Sequence, residues 1–153
     1  MPQSADQVEL RIPSQLRYLA VVDAVVQAFA ADFGWDADDV NNLGTAAIEA
    51  ASNAMEHGNR YAANTTVSLR MRGDAAGVEV EIEDEGLGFD HRPYERELTT
   101  DDLLKLRGRG IFIMRSFMDE VGFAPGTGHG TCVRLVKHGR AKAEQPGGTS
   151  AGA

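Results

Sequence analysis

The sequence predicts a single α+β domain, a two-layer sandwich with helices on one face of a mixed, mostly antiparallel β-sheet. Apolar residues recur with helical spacing in two early segments, and they alternate with polar residues in several shorter ones. Those shorter segments mostly follow one another through brief turns, which is typical of antiparallel pairing with the helices segregated to one face. A chain of 153 residues can bury one proper core, and two would be cramped.

The first half of the chain contains one strand and two helices. "VELRIP" alternates and predicts the first strand. Ser14 is placed to cap a helix that runs to Phe33, with Gly34 as its C-terminal cap. A second helix is predicted to begin near residues 36–38 and to stop at Gly58.

The second half contains four strands and one helix. "TVSLRM" and "VEVEIED" alternate on either side of "RGDAAG", which predicts an antiparallel hairpin. Residues 91–107 are polar and long for a connection, so they are predicted to form a lid. A third helix is predicted to open at Gly110, followed by the strands "VGFA" and "TCVRLVK" around the turn "PGTGHG".

Composition excludes several classes of protein. The formal net charge of −8 argues against direct binding of nucleic acid, although it leaves room for a nucleotide held by backbone N–H groups. The single cysteine, Cys132, cannot form an internal disulfide, and we expect it to be a small core residue in a strand. No Cys and His residues have zinc-site spacing.

The two ends and the location of the protein are also predicted from composition. Residues 1–7 are polar and residues 139–153 are rich in Gly, Ala and Ser, so both are expected to be disordered around a domain spanning 8–138. No apolar run approaches the ~20 residues that a bilayer span needs, and the N-terminus lacks the pattern of a secretory signal. We therefore expect a cytoplasmic protein that does not contact membranes.

The second helix carries an unusual polar stripe. Glu49, Asn53 and His57 stand at i, i+4 and i+8, which places them along one helix face. A solvated face is the ordinary interpretation of such a stripe. The flanking residues are small alanines that would let a ligand approach, and a carboxylate one turn from an amide oxygen suits a hard cation and a reacting hydroxyl.

Asp84 is the second candidate. It shares parity with the apolar residues of its strand, so its carboxylate should point to the buried side, where it needs a partner. Asp84 could instead simply begin the turn, as Asp often does. Gly86 and Gly88 follow closely and leave room for a flat ring against the backbone, which favours a ligand.

Glycines before the third helix and the last strand are weaker candidates. Gly108 and Gly110 stand where free N–H groups of a helix N-terminus could hold an anion, with Arg107 and Arg109 adding positive charge. One such G-x-G is weak evidence alone. The glycines of "GHGT" could simply shape a hairpin turn.

Taken in order, four segments resemble the ATP-binding boxes of the GHKL superfamily, which includes gyrase, the Hsp90 chaperones, histidine kinases and MutL. They are "EAASNAMEHG", "DEGLGFD", "GRGIFIM" and "GHGT", and the resemblance extends over about residues 8–137. Within the superfamily the chain resembles most the RsbW-type anti-sigma factor serine kinases. The resemblance implies the Bergerat-type ATP-binding fold, with ATP and Mg²⁺ as ligands.

The resemblance also implies residue roles. Asn53 would coordinate Mg²⁺ between the ATP phosphates, and Glu49 would be the general base that takes the proton of a substrate serine. Asp84 would accept a hydrogen bond from the adenine amino group. Gly86 and Gly88 would shape the adenine pocket.

The remaining implied roles belong to the pocket floor and the phosphates. Thr131 would form the floor of the adenine pocket. Gly108 and Gly110 would bring N–H groups to the phosphates, helped by Arg107 or Arg109. His57 matches the family pattern without an assigned chemistry. Arg107 stands where relatives often have the first of two glycines, so the phosphate loop departs from the pattern.

Two functions of different classes follow from the resemblance. The first is a serine kinase that phosphorylates a STAS-type anti-anti-sigma protein and also sequesters a sigma factor. The second is a nucleotide-dependent module that switches binding partners without phosphorylating them. A histidine-kinase catalytic domain is disfavoured because no helix with a phospho-accepting histidine precedes the first strand. A homodimer is implied, with its interface expected near the first strand and first helix.

Overall fold

The computed structural model describes residues 5–86 and 109–140. Its helices and strands follow the predicted order, and the α+β class is confirmed. The elements are β1 (Asp6–Pro13), α1 (Leu19–Ala31), α2 (Ala37–Asn53), β2 (Thr66–Gly73), β3 (Gly77–Glu83), α3 (Arg109–Phe117), β4 (Glu120–Pro125) and β5 (Thr131–His138). The predicted lid, residues 91–107, lies outside the described residues.

The sheet has the strand order β1-β2-β3-β5-β4. All four of these pairs are antiparallel, so no parallel pair of the predicted mixed sheet occurs among the described strands. In one row Leu69 stands opposite Leu10 on one side and Ile82 on the other, and Ile82 in turn faces Val133. Because side chains alternate across a strand, this register presents one continuous apolar face to the helices.

The core lies between that apolar face and the helix layer. α2 packs between α1 and α3, and it also contacts β3 and β5. Four of its nine buried residues are alanines, whose small side chains allow neighbouring elements to approach closely. These residues are Ala46, Ala47, Ala50 and Ala51, each with 0% exposure.

The predicted capping of the first helix is wrong. α1 begins at Leu19 after a single 3₁₀ turn, and Ser14 does not cap it. The Ser14 hydroxyl instead accepts hydrogen bonds from Asn59 Nδ2 at 2.7 Å and from Thr65 Oγ1 at 3.0 Å. Gly34 adopts the left-handed conformation with φ +74°, as a glycine beyond a helix end commonly does.

Described, hydrogen-bonded residues occur within both terminal segments that the sequence predicted to be disordered. At the N-terminus β1 already begins at Asp6, which pairs with Gly73. At the other end Arg140 binds the carboxylate of Asp39 through Nε at 3.0 Å and Nη2 at 3.0 Å, and its carbonyl accepts from Asp36 N. Asp39 is 1% exposed, and the Arg140 guanidinium holds the pKa of its carboxyl below the usual value. Residues 141–153 lie outside the described residues.

The outer face of the sheet is charged. Arg70 on β2 binds Glu9 on β1 at 3.4 Å and Glu81 on β3 at 2.9 Å. Cys132 is half-buried and lies on this outer face. It pairs with Glu83 across β3 and β5, so the two side chains point to the same side of the sheet. The prediction that Cys132 belongs to the core is thus wrong, although it does lie in a strand. Burial, followed by the negative charges of Glu81 and Glu83, raises the pKa of its thiol to about 11.

Within residues 5–86 and 109–140, none of the helices has the length and apolar character needed to cross a membrane.

Candidate functional site

The first turn of α3 meets α2 at Gly110. A β-carbon at Gly110 would lie 3.1 Å from Glu49 Oε2 and 3.0 Å from Asn53 Nδ2. These distances are tighter than ordinary side-chain contacts, so only glycine fits here without displacing a neighbour. The structure thus brings together three residues that the sequence predicted for one site.

Asn53 is the last residue of α2 and is 9% exposed. Its Nδ2 atom is completely buried and has no hydrogen-bond partner within the described residues. A buried amide without partners costs free energy, and such a group commonly marks a ligand, ion or water position. The unsatisfied amide, beside the Glu49 carboxylate, is the clearest sign that something binds here.

The helix changes its winding directly after Asn53. Residues Ala54–Gly58 form a π-helical turn, in which Asn59 N donates to Ala54 O at 2.8 Å. Turns of this kind are uncommon and often lie at functional sites. The change ends the regular 3.6-residue spacing on which the predicted stripe rested.

His57 lies within this π-helical turn. Its side chain is 43% exposed, and its nearest charged partner is Glu56 at 3.9 Å. Among the three residues of the predicted file, only Glu49 and Asn53 face Gly110. Helical contact with Gly110 is therefore seen for Glu49 and Asn53, and the stacking of His57 along the same face stays a prediction.

Asp84 is buried as its parity predicted, with 7% exposure. It follows β3 directly and extends the pairing with β5, since Asp84 N donates to Thr131 O at 3.1 Å. Its Oδ1 atom accepts from Gly86 N at 2.9 Å and from Thr131 N at 3.3 Å. Two backbone N–H groups thus set the orientation of the carboxylate.

Three glycines enclose Asp84. A β-carbon at Gly58 would overlap the Asp84 carboxyl, and one at Gly130 would lie 2.7 Å from Asp84 Oδ1. A β-carbon at Gly86 would collide with the carbonyl group of Gly58. The glycine of "EHG" at the end of the second helix therefore serves the Asp84 site directly, which the sequence did not indicate.

Glu83 and Glu85, the two neighbours of Asp84, accept hydrogen bonds from two other segments of the chain. Glu83 Oε1 accepts from Thr127 N at 2.6 Å and from Thr127 Oγ1 at 2.7 Å, which fixes the turn before β5. Glu85 Oε2 accepts from Thr66 N at 2.6 Å, which ties the same loop to the start of β2. Sequence reasoning missed both roles, because acidic residues at a strand end usually signify only solvent exposure.

Asn59 is the other residue that sequence reasoning missed. It is 4% exposed, and its Oδ1 accepts from Glu85 N at 2.7 Å. The only sequence signal is its position directly after the "HG" of the first box.

Of the remaining predicted site residues, two lie within the described part of the chain and three lie outside it. Arg109 is exposed at the start of α3, next to Gly110. Thr131 is 6% exposed and is paired with Asp84 as described above. Gly88, Arg107 and Gly108 lie outside the described residues.

A groove of about 720 Å³ lies on the outer face of the sheet, beside the turn before β5. Its lining includes Arg70, Glu81 and Glu9, whose charges are already paired with one another. Charges that satisfy each other offer little to a ligand. Asp84 also lines this groove at one end, and we assign the function to the glycine-lined groups around Asn53 and Asp84.

The two groups lie at the same end of α2 and have complementary chemistry. Glu49 and Asn53 supply a carboxylate and an amide, which suit a hard cation, a phosphate oxygen or a proton. Asp84 supplies a buried acceptor for a ligand N–H, enclosed by glycines. A ligand with one anionic end and one flat, N–H-bearing end suits such a site.

The chain is similar to several known proteins. The family model of the histidine kinase-like ATPase domain matches residues 12–137. The serine-protein kinase RsbW of Bacillus subtilis (strain 168) is 31% identical over 127 residues, covering 79% of each chain. The anti-sigma F factor of Geobacillus kaustophilus (strain HTA426) is 34% identical over 115 residues, covering 74% of this chain and 79% of that protein.

A solved structure shares the fold. The crystal structure of the RsbU and RsbW domains of Rv1364c from Mycobacterium tuberculosis superimposes with a TM-score of 0.59 at 17% identity. The match covers 90% of this chain and 33% of that longer chain. The chain thus spans a third of the length of that solved protein, and the likeness concerns the fold.

Proposed function

The chain belongs to the histidine kinase-like ATPase family, and from this premise we propose that it is an ATP-dependent protein serine kinase of the RsbW type. The observation that carries the proposal is the approach of Gly110 to Glu49 and Asn53, which combines a carboxylate and an unsatisfied buried amide. The names of the relatives support the reaction class, since several are serine-protein kinases.

Asn53 is the residue we assign to the metal. Its amide offers an oxygen of the kind Mg²⁺ prefers, and its buried Nδ2 could donate to a phosphate oxygen. When bound, Mg²⁺ would neutralise the charge that develops on the phosphates. The N–H groups at the start of α3, including that of Gly110, with Gly108, Arg107 and Arg109, are assigned to the same phosphates.

Glu49 is assigned as the general base. In the proposed reaction the serine oxygen forms a bond to the γ-phosphorus, the bond from that phosphorus to the bridging oxygen breaks, and ADP leaves. The serine hydroxyl proton goes to the Glu49 carboxylate. Positioning should supply most of the rate enhancement, because phosphoryl transfer needs little covalent chemistry from the protein.

Asp84 is assigned to the adenine amino group. Its carboxylate is buried and oriented by two backbone N–H groups, so it can act as a fixed acceptor. Gly86 and Gly88 would shape the adenine pocket, and Thr131 would form its floor. A carboxylate acceptor favours adenine over bases that carry a carbonyl at the same ring position.

The proposal includes protein partners. We assign a STAS-type anti-anti-sigma protein as the serine substrate and a sigma factor as the sequestered partner, in keeping with relatives named as anti-sigma F factors. A cytoplasmic homodimer is part of the same proposal. Its support is three exposed apolar residues on or next to β1 and α1: Leu16 is 53% exposed, and Val8 and Val21 are each 39% exposed.

The test is phosphotransfer from labelled ATP with Mg²⁺ to each stand-alone STAS protein of the source organism. Wild type is compared with Glu49→Gln, which keeps the shape and removes the base. We expect label on a serine of one partner and a loss of about 100-fold or more in Glu49→Gln. Glu56→Gln is the matched control, since Glu56 lies on the exposed side of the same helix end and should retain full activity.

The same samples are assayed for complex formation. A partner that binds in a nucleotide-dependent manner and remains unlabelled by wild type would overturn the kinase proposal in favour of a switching module without phosphotransfer. Equal activity of Glu49→Gln and wild type would overturn the assignment of the base alone.

A further inference from the structure

Asn59 joins segments that are far apart in the sequence. Its Nδ2 donates to Ser14 Oγ at 2.7 Å and to Thr66 O at 2.9 Å, while its Oδ1 accepts from Glu85 N at 2.7 Å. We propose that Asn59 is a positioning residue for the base-binding site, holding the Asp84 loop in place. This inference rests on the proposed function, in which Asp84 binds adenine.

The orientation of the amide is unambiguous. Glu85 N can only donate, so Asn59 Oδ1 must face it. The carbonyl of Thr66 can only accept, so Nδ2 must face the other way. Both N–H bonds and the oxygen are therefore used, and neither Asp nor Leu could reproduce the whole set.

Asn59 reaches Asp84 through adjacent residues on both sides. Gly58, immediately before Asn59, packs against the Asp84 carboxyl. Glu85, immediately after Asp84, donates to Asn59. The segment Gly58–Asn59 therefore contacts the segment Asp84–Glu85 at two adjacent positions. Gly58 packs against Asp84, and Asn59 accepts a hydrogen bond from Glu85.

The backbone conformation directly after Asn59 is unfavourable and must be held in place by its surroundings. Arg60 and Tyr61 have φ of 51° and 52°, a left-handed conformation that is unfavourable for residues with a side chain. Two consecutive residues of this kind persist only where the surroundings over-determine them, and they concentrate at functional sites. Backbone bonds from Tyr61 N to Met55 O and from Ala62 N to Asn59 O hold this turn, and the side-chain bonds of Asn59 anchor the segment at its start.

A purely structural role makes a different prediction from a positioning role. If Asn59 only stabilises the fold, its loss lowers stability and leaves the preference among bases unchanged. If it positions Asp84, its loss weakens that preference specifically. The useful readout is therefore the ratio of the dissociation constants for ITP and ATP, because ITP carries a carbonyl oxygen where ATP carries the amino group.

The experiment measures this ratio by calorimetry for full-length wild type and Asn59→Ala, alongside urea unfolding of each. We expect wild type to prefer ATP by about tenfold or more and Asn59→Ala to lose about tenfold of that preference. Should Asn59→Ala fail to fold, Asn59→Ser takes its place, since its hydroxyl can pair with a water but is too short to reach Glu85 N.

Two control variants test separately the Nδ2 and the Oδ1 of the Asn59 side-chain amide. Ser14→Ala removes a partner of Nδ2 and leaves the bond from Glu85 N to Oδ1 intact. Asn59→Asp keeps an acceptor for Glu85 N but places an oxygen against Thr66 O. We expect both variants to be less stable than wild type and to retain its ITP/ATP ratio.

The outcomes distinguish this inference from the proposed function. An unchanged ratio in Asn59→Ala, beside a clear preference in wild type, overturns the positioning role and leaves the kinase proposal standing. Equal loss of the ratio in Ser14→Ala also overturns it, since the effect would then follow from general loosening. A wild type that does not prefer ATP over ITP overturns the assignment of Asp84, and this inference with it.

Discussion

Gly58 lies directly against Asp84, so that a β-carbon at position 58 would stand 2.7 Å from the Asp84 β-carbon. This contact joins the end of the α2 helix to the end of strand β3. It also links the two halves of the proposed site, because Gly58 belongs to the helical run that carries Glu49 and Asn53.

Replacing Gly58 by Ala should therefore damage the adenine side of the site. The added methyl group must push Asp84 away, and we expect ATP to bind about tenfold more weakly with a loss of about 1–3 kcal/mol in the free energy of unfolding. Calorimetry and urea unfolding measure the two effects. Gly122→Ala is the control, because the nearest atom to a β-carbon there is 4.0 Å away; equal effects of the two changes would contradict the packing argument.

Replacing Gly110 by Ala should affect catalysis more than stability. The new β-carbon would press on Glu49 Oε2 and Asn53 Nδ2 from 3.1 and 3.0 Å, displacing both by a few tenths of an ångström. We expect kcat for phosphotransfer to fall by about 100-fold, since small misplacements at a reacting centre are costly. The melting temperature should change little, because Ala is favoured over Gly in a helix.

Gly122→Ala provides the comparison for Gly110→Ala. Gly122 lies in β4, where the nearest atom to an added β-carbon is 4.0 Å away. This variant should retain wild-type kcat. A comparable loss of kcat in both variants would contradict the explanation that the Gly110→Ala methyl group displaces Glu49 and Asn53.

The ion pair of Asp39 should make stability depend on acidic pH. The Arg140 guanidinium is the largest cause that lowers the Asp39 pKa from its usual 3.8, against the opposing effect of burial. A carboxyl whose pKa is lower in the folded state stabilises the fold above the unfolded pKa, and this contribution is lost as the pH falls through the folded value. The free energy of unfolding should thus be steady above about pH 5 and fall below pH 4.

Asp39→Asn tests the origin of that dependence. We expect it to cost about 1–3 kcal/mol at pH 7 and to flatten the decrease below pH 4, measured by urea unfolding across pH. Asp38→Asn, which alters an exposed neighbour, should leave the profile as in wild type. An unchanged profile in Asp39→Asn would assign the acid sensitivity to other carboxylates.

The thiol of Cys132 should be unreactive in the folded protein. Burial, together with Glu81 and Glu83, raises its pKa to about 11, and the thiolate is the nucleophile. At pH 8 the thiolate fraction should be about 100-fold lower in the native than in the urea-unfolded chain, and alkylation by iodoacetamide correspondingly slower. A native rate that levels off near pH 9 would contradict the cause we give.

Periodicity predicted the order of the elements, but it did not predict the change of winding at the end of the second helix. The order of strands and helices follows from alternation and helical spacing, and Asp84 is buried as its parity required. The prediction assumed regular winding of the second helix as far as Gly58, whereas Ala54–Gly58 form a π-helical turn with a different number of residues per turn. That turn is closed by a hydrogen bond from Asn59 N to Ala54 O, and the residue types in this segment do not predict it.

The sequence by itself determined the strand and helix order, the inward face of Asp84 and the one-turn spacing of Glu49 and Asn53, because these depend on the repeat of a single element. Only the tertiary structure decided which residues meet across elements. Ser14 pairs with Asn59 across 45 residues, and Asp39 with Arg140 across 101. Such contacts arise from how the sheet and helices pack, and local spacing carries no record of them.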